Sequence, residues 1–139
     1  GGFSGLALAH GHAHLVRAVM EGVAYSLRHF LDLYEELGIS ISEIALAGGG
    51  ATTAGWPQIS ADLCQRDVLI YAEEETVTRV LFSLCQENLG RATLKEALSM
   101  TFETPDVVHC RDEFDGVYRQ GYERYRAFAG FACELAERS

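Results

Sequence analysis

Gly48, Gly49 and Gly50 follow a short apolar run, with Thr53, Ala54 and Gly55 close behind, in "ALAGGGATTAGWPQISAD", residues 45–62. Glycine removes the β-carbon that would hold a ligand away from the backbone, and it permits positive φ. Bare backbone between a strand and a helix start offers N–H groups and the positive end of the helix dipole, which together favour an anion such as phosphate. The run is not a P-loop, because Gly55 is followed by Trp56-Pro57 where Lys-Ser/Thr is required. As a dinucleotide fingerprint it has Thr53 in place of the third glycine, and Glu73 or Glu74 would have to serve as the distal acid. On spacing alone, a turn without a ligand stands beside the anion seat as the other reading.

Other residues carry weaker chemistry. His10-x-His12-x-His14 would aim its imidazoles one way only on a strand, and His14 begins a helical pattern, so no physiological metal is expected. Asp62 falls inside a helix and reads as a structural carboxylate. Trp56 is either a platform for a base or packing between a helix and a strand. Glu73-Glu74-Glu75 stands before a helix start, where a solvated acidic cap is favourable. No Ser-His-Asp or Cys-His arrangement is legible, so no catalytic residue is assigned. Cys64, Cys85, Cys110 and Cys133 form no CxxC and sit in apolar stretches, which predicts buried, reduced thiols of a cytoplasmic protein.

The elements that must position the glycines follow from periodicity. Residues 14–37 repeat apolar side chains at helical spacing, with Leu15, Ala18, Val19, Gly22, Val23, Phe30 and Leu33 on a stripe that Leu27 and Leu31 widen. Gly38 stops it. "EIALA" (43–47) and "VLIYA" (68–72) read as short buried strands. A helix from about Ala54 to Cys64 lies between them, with Pro57 in its first turn. Helices over 76–89, 93–100 and 114–135 follow, the second opened by the capping box Thr93…Glu96 and preceded by a stop at Gly90. A loop is expected around Pro105-Asp106, and a tyrosine-rich stripe with Val117 marks the inner side of the last helix.

The 139 residues allow one domain, and a net charge of −9 with eleven scattered basic residues argues against nucleic acid or an anionic membrane as partner. No stretch nears the roughly 20 apolar residues of a membrane span, and no secretion signal is visible. Two short strands cannot cover the apolar faces of so many helices, so further strands are expected from sequence beyond this chain. An exposed sheet edge would also permit a homo-oligomer.

Two stretches resemble the FGGY carbohydrate kinases. "GGFSGLALAHGHAHLVRAVMEG" fills every constrained position of the family's second signature, through Gly1, Phe3, Gly5, Leu6, His14-Leu15 and Ala18-Val19-Met20-Glu21. "LAGGGATTAGWPQISADL" resembles the family's adenosine motif, and its Trp56-x-Gln58-Ile59-x-Ala61-Asp62 tail is most like xylulose kinases. The closing "YRQGYERYRAF" is similar to the family's last helix. The resemblance implies an α/β fold, the C-terminal actin-like (sugar kinase/hsp70/actin) ATPase domain, helix-rich and truncated on its N-terminal side. Residues 1–139 would be a partial, nucleotide-side domain lacking the first strands of its sheet.

The activity so implied is transfer of the ATP γ-phosphoryl group to a sugar hydroxyl with Mg²⁺, the metal, base and sugar pocket belonging mainly to the missing part. ATP or ADP and the sugar are then the partners. Gly49 and Gly50 would approach the α-phosphate and ribose, Gly48 would allow the turn, and Thr53 and Ala54 would lie by the adenine or ribose. One departure stands out: Val80-Leu81-Phe82 replaces the small residues the family has after Glu75, which would push the helix outward or fill the adenine pocket. That departure keeps open a second reading, a degenerate, non-catalytic kinase half serving as an interaction or regulatory module.

Overall fold

The computed structural model describes residues 2–71 and 75–137. Among them the order is α1 (His12–Glu36), β1 (Glu43–Ala47), α2 (Gly49–Thr52), α3 (Trp56–Cys64), β2 (Asp67–Tyr71), α4 (Thr76–Asn88), α5 (Leu94–Thr101), β3 (Asp106–Val108), a 3₁₀ turn (Asp112–Phe114) and α6 (Asp115–Glu137).

Long α1 ends as Gly38 predicts. Gly38 takes φ +78°, its N–H bonds Glu35 O, and Ile39 N–H reaches back to Tyr34 O, which together satisfy the last carbonyls. The strands form a sheet in the order β1-β2-β3, with β1 and β2 parallel and β3 antiparallel to β2. One face, carrying Ile44, Val68 and Ile70, is buried in the core with Leu31 of α1 and Ile59 and Leu63 of α3. On the other face Ala45, Leu69 and Val107 form a row in register, and Val107 is exposed.

Helix α6 joins the core through tyrosines. Tyr122 stacks with Tyr25 and Tyr125, its hydroxyl donates to Asp32 Oδ2 at 2.6 Å, and Arg17 Nη2 donates to the Tyr118 oxygen at 2.6 Å. Burial among these rings pushes the Tyr25 hydroxyl up to about 12. Gly121 leaves room for the Tyr25 ring, since a β-carbon there would lie 1.9 Å from its hydroxyl oxygen.

Helices α4 and α5 pair with each other. Ser83 Oγ is 3.2 Å from Thr101 Oγ1, Arg79 Nη1 donates to Thr101 O at 2.7 Å, and Ala97 is buried. The capping box of α5 is present: Thr93 Oγ1 accepts from Glu96 N–H and Glu96 Oε2 accepts from Thr93 N–H.

Several expectations need correction. The stretch read as a loop at Asp106 continues as strand β3, because its backbone finds an unpaired edge of β2. Helix α3 starts at Trp56 rather than Ala54, since Gly55 takes φ +76° and breaks the turn before it. Cys85 and Cys133 are exposed and only Cys64 is fully buried, because the apolar stripes of α4 and α6 are not covered where those cysteines stand. Val117 also faces outward, one residue off the tyrosine side of α6. The expected stripe of α1 is split: Leu31 is buried, while Val19, Val23, Phe30 and Leu33 are exposed, and the helix also buries Ala24 and Tyr25, the latter a residue the periodicity did not single out.

Candidate functional site at the strand ends

The carboxyl ends of parallel strands β1 and β2 lie side by side, Ala47 pairing with Tyr71. Open α/β sheets present ligands with loops at such ends. Here the loop is the glycine run. Gly48 turns the chain at φ +65°, ψ −150°, a conformation costly for any residue with a β-carbon. Helix α2 then starts at once with Gly49 and Gly50, and Ala51 N–H closes the first turn on Gly48 O at 3.0 Å. The helix start that follows the glycines is therefore this four-residue turn, and not the long helix expected from the spacing.

Gly48 and Gly49 are exposed and have nothing within 4 Å of a hypothetical β-carbon. Gly50 does have a neighbour, as its missing β-carbon would sit 3.6 Å from Trp56 Nε1. Trp56 is half-buried and packs on the core, which is the packing alternative named above. Thr53 is exposed and spends its hydroxyl on Gly49 O at 2.6 Å, holding the loop in shape, and Ala54 is exposed beside it. Gly48, Gly49, Thr53 and Ala54 are thus exposed around the short turn of α2, while Gly50 is half-buried against Trp56 and Ala51 is buried.

A cavity of about 550 Å³ adjoins this loop through Ala47. Its walls include Tyr71, Thr76, Phe102, Glu103 and Pro105, and Tyr71 and Phe102 meet edge to face at 6.1 Å. Residues 102–105 carry no local motif, so their arrival here was not legible in the chain. Leu81 and Phe82 do not close the cavity: each is 56 % exposed and neither lines it. Of the acidic run, Glu73 and Glu74 lie outside the described residues, while Glu75 is exposed and caps α4 in the left-handed region at φ +59°.

Asp62 anchors the helix that follows the loop. It is completely buried, and its carboxylate accepts from the Arg111 backbone N–H at 2.9 Å, from Arg111 Nη2 at 2.5 Å and from Gln58 Nε2 at 2.8 Å. Gln58 also donates to His109 O at 3.0 Å. These bonds tie α3 to the segment after β3, which makes Asp62 a structural carboxylate. The hydrogen bond to Asp62 in turn raises the Arg111 guanidinium. A second tie pairs Asp67 with the His109 ring at 2.9 Å, and that bond lowers the Asp67 carboxyl. Burial pushes the Cys64 thiol up to about 12, so it is inert.

The histidines of the amino-terminal stretch serve the backbone. His10 Nδ1 accepts from Ala7 N–H and His14 Nδ1 from Gly11 N–H. Among the described residues no group of three or more His, Cys, Asp or Glu is placed to hold a metal ion. No helix among them is long and apolar enough to cross a membrane.

The model of the FGGY family of carbohydrate kinases, C-terminal domain, matches residues 1–79, more than half of the chain. The chain belongs to this family. Within the FGGY family it is similar to a xylulose kinase of Haemophilus influenzae, 42 % identical over 62 residues that make up 45 % of this chain and 13 % of the relative. A xylulose kinase of Staphylococcus epidermidis is 28 % identical over 128 residues, 91 % of this chain and 26 % of the relative. The fold is that of a xylulose kinase from Rhodospirillum rubrum, with TM-score 0.80 and 22 % identity over 96 % of this chain and 28 % of the solved one. A gluconate kinase from Lactobacillus acidophilus matches equally, at TM-score 0.80. The chain spans about a quarter or less of the length of these kinases. Among sugar kinases its fold is that of the helix-rich C-terminal domain, as the resemblance implied.

Proposed function

We propose that this chain is the nucleotide-side part of an ATP-dependent carbohydrate kinase of the xylulose-kinase kind, which phosphorylates a sugar hydroxyl together with the remainder of its polypeptide in the cytoplasm. The observation that carries the reading is the glycine loop at the carboxyl ends of β1 and β2, in a chain of this family. Gly48, Gly49 and Gly50 offer a phosphate their backbone without side-chain obstruction, and the α2 N–H groups add partial positive charge. Thr53 and Ala54 lie where the nucleoside would pass. This chain binds and orients the nucleotide; phosphoryl transfer depends on such positioning and on charge neutralisation. Mg²⁺, when bound with ATP, supplies that neutralisation, and in this reading its ligands come mainly from the rest of the protein. The chain alone then catalyses nothing.

The test is calorimetric titration of ADP into the polypeptide joined to the remainder of its kinase, with Gly49→Val and Gly50→Val alongside. Binding that both variants weaken at least tenfold supports the reading. The alternative, a degenerate half kept as an interaction or regulatory module, is favoured by the bulky Val80-Leu81-Phe82 on α4. It predicts no measurable ADP affinity in the same titration.

A further inference from the structure

We propose that the groove between the amino-terminal stretch, α1 and α6 binds a small aryl carboxylate, with the ring among its aromatic side chains and the carboxylate on Arg124 and the Tyr25 hydroxyl. The groove shares no residue with the glycine loop, so this site stands or falls independently of the kinase reading.

The groove encloses about 660 Å³, inside the range of about 300–1,000 Å³ typical of small-molecule sites. Gly22 lines it from α1, and a β-carbon there would meet nothing within 4 Å, so the space before that helix is open. Gly121 lines it from α6 and lies against the Tyr25 hydroxyl, which is therefore the part of Tyr25 that reaches across to the second helix. Phe3, Tyr125 and Phe128 form the apolar wall. Phe3 stays 50 % exposed and Phe128 38 %, although their neighbours Tyr25 and Tyr125 stack at 5.6 Å between centroids. A flat ring laid against this wall would take those two side chains out of water and gain an aromatic contact.

Two polar groups give the groove a preferred ligand. Tyr25 is nine-tenths buried, yet its hydroxyl has no hydrogen-bond partner among the described residues. Its neighbours differ: the Tyr118 oxygen accepts from Arg17, and the Tyr122 hydroxyl donates to Asp32. A buried hydroxyl without a partner bears a desolvation cost that an acceptor on a ligand would offset. Arg124 lines the same groove and has no ion pair among the described residues. Glu21, the carboxylate that also lines it, is held by Arg17 at 2.7 Å, so the charge offered to a ligand is positive. A carboxylate answers both needs, since one oxygen accepts from the phenol while the group meets the guanidinium in a charge-assisted bond.

The test is isothermal titration of 2-naphthoate into the polypeptide joined to the remainder of its kinase, with the neutral 2-naphthalenemethanol alongside. One-to-one binding of the acid is expected, with the alcohol about tenfold weaker. Arg124→Gln should weaken the acid about tenfold and Tyr25→Phe about threefold to tenfold. Gly22→Leu should block it, because its side chain enters the open space before α1. Tyr25→Phe also serves as the folding control: the hydroxyl bonds nothing in the protein, so the urea midpoint should stay where it is. A midpoint that falls would show the hydroxyl already satisfied and overturns the proposal. So does the absence of saturable binding up to about 1 mM probe, equal binding of acid and alcohol, or binding that Arg124→Gln and Tyr25→Phe both leave intact.

Discussion

Asp62→Ala is the sharpest perturbation of the scaffold behind the glycine loop. The carboxylate is wholly buried and serves donors from two elements, Gln58 Nε2 on α3 and the Arg111 backbone N–H after β3. Hydrogen bonds to a charged group contribute about 1.5–3 kcal/mol each, and partial exposure of both donors argues for the lower end, so the pair comes to about 3 kcal/mol. The half-exposed Arg111 guanidinium can turn to water and adds little. Against a total of about 5–15 kcal/mol for a domain, that is a large fraction. Urea unfolding followed by circular dichroism reads it directly: with a slope of about 1–3 kcal/mol per molar, the midpoint falls by about 1–3 M. Asp62→Asn keeps the volume and one carbonyl acceptor and should lose about half as much. A loss for Asp62→Ala below about 0.5 kcal/mol, the range of a surface change, would refute the reasoning.

Four further outcomes are expected. Thr93→Ala removes the acceptor for Glu96 N–H at the start of α5 and should cost about 1 kcal/mol in thermal unfolding, with α5 amides exchanging faster. Gly121→Ala drives a β-carbon into the Tyr25 hydroxyl and should cost about 1–3 kcal/mol, with Tyr25→Phe/Gly121→Ala recovering part of it. Iodoacetamide at pH 8 should modify Cys85 and Cys133 in the folded chain and reach Cys64 only in urea, as mass spectrometry will report. The raised Cys64 thiol contributes stability in full below the free thiol's value of about 8.5, lost as pH climbs towards 12. A midpoint that does not fall between pH 8.5 and 11 in wild type relative to Cys64→Ala would contradict that burial.

Local chemistry determined much of this protein from sequence alone. Gly38 ends α1, Thr93 and Glu96 open α5, Pro57 sits in the first turn of α3, and the glycine run lies between a strand and a helix start. Each of these depends on neighbours within about four residues, where backbone hydrogen bonds and φ preferences act. The FGGY motifs were legible for the same reason, as short runs of fixed spacing. Tertiary structure decided what distance along the chain conceals. Asp62 finds its cation 49 residues away, β3 forms because β2 had an edge to offer, and Phe102 meets Tyr71 across the cavity. Which half of an apolar stripe is buried was likewise undecidable from periodicity, as Val19 and Ala24 show. A helical repeat marks a face as apolar, but only the neighbours that assemble against it decide which part leaves water.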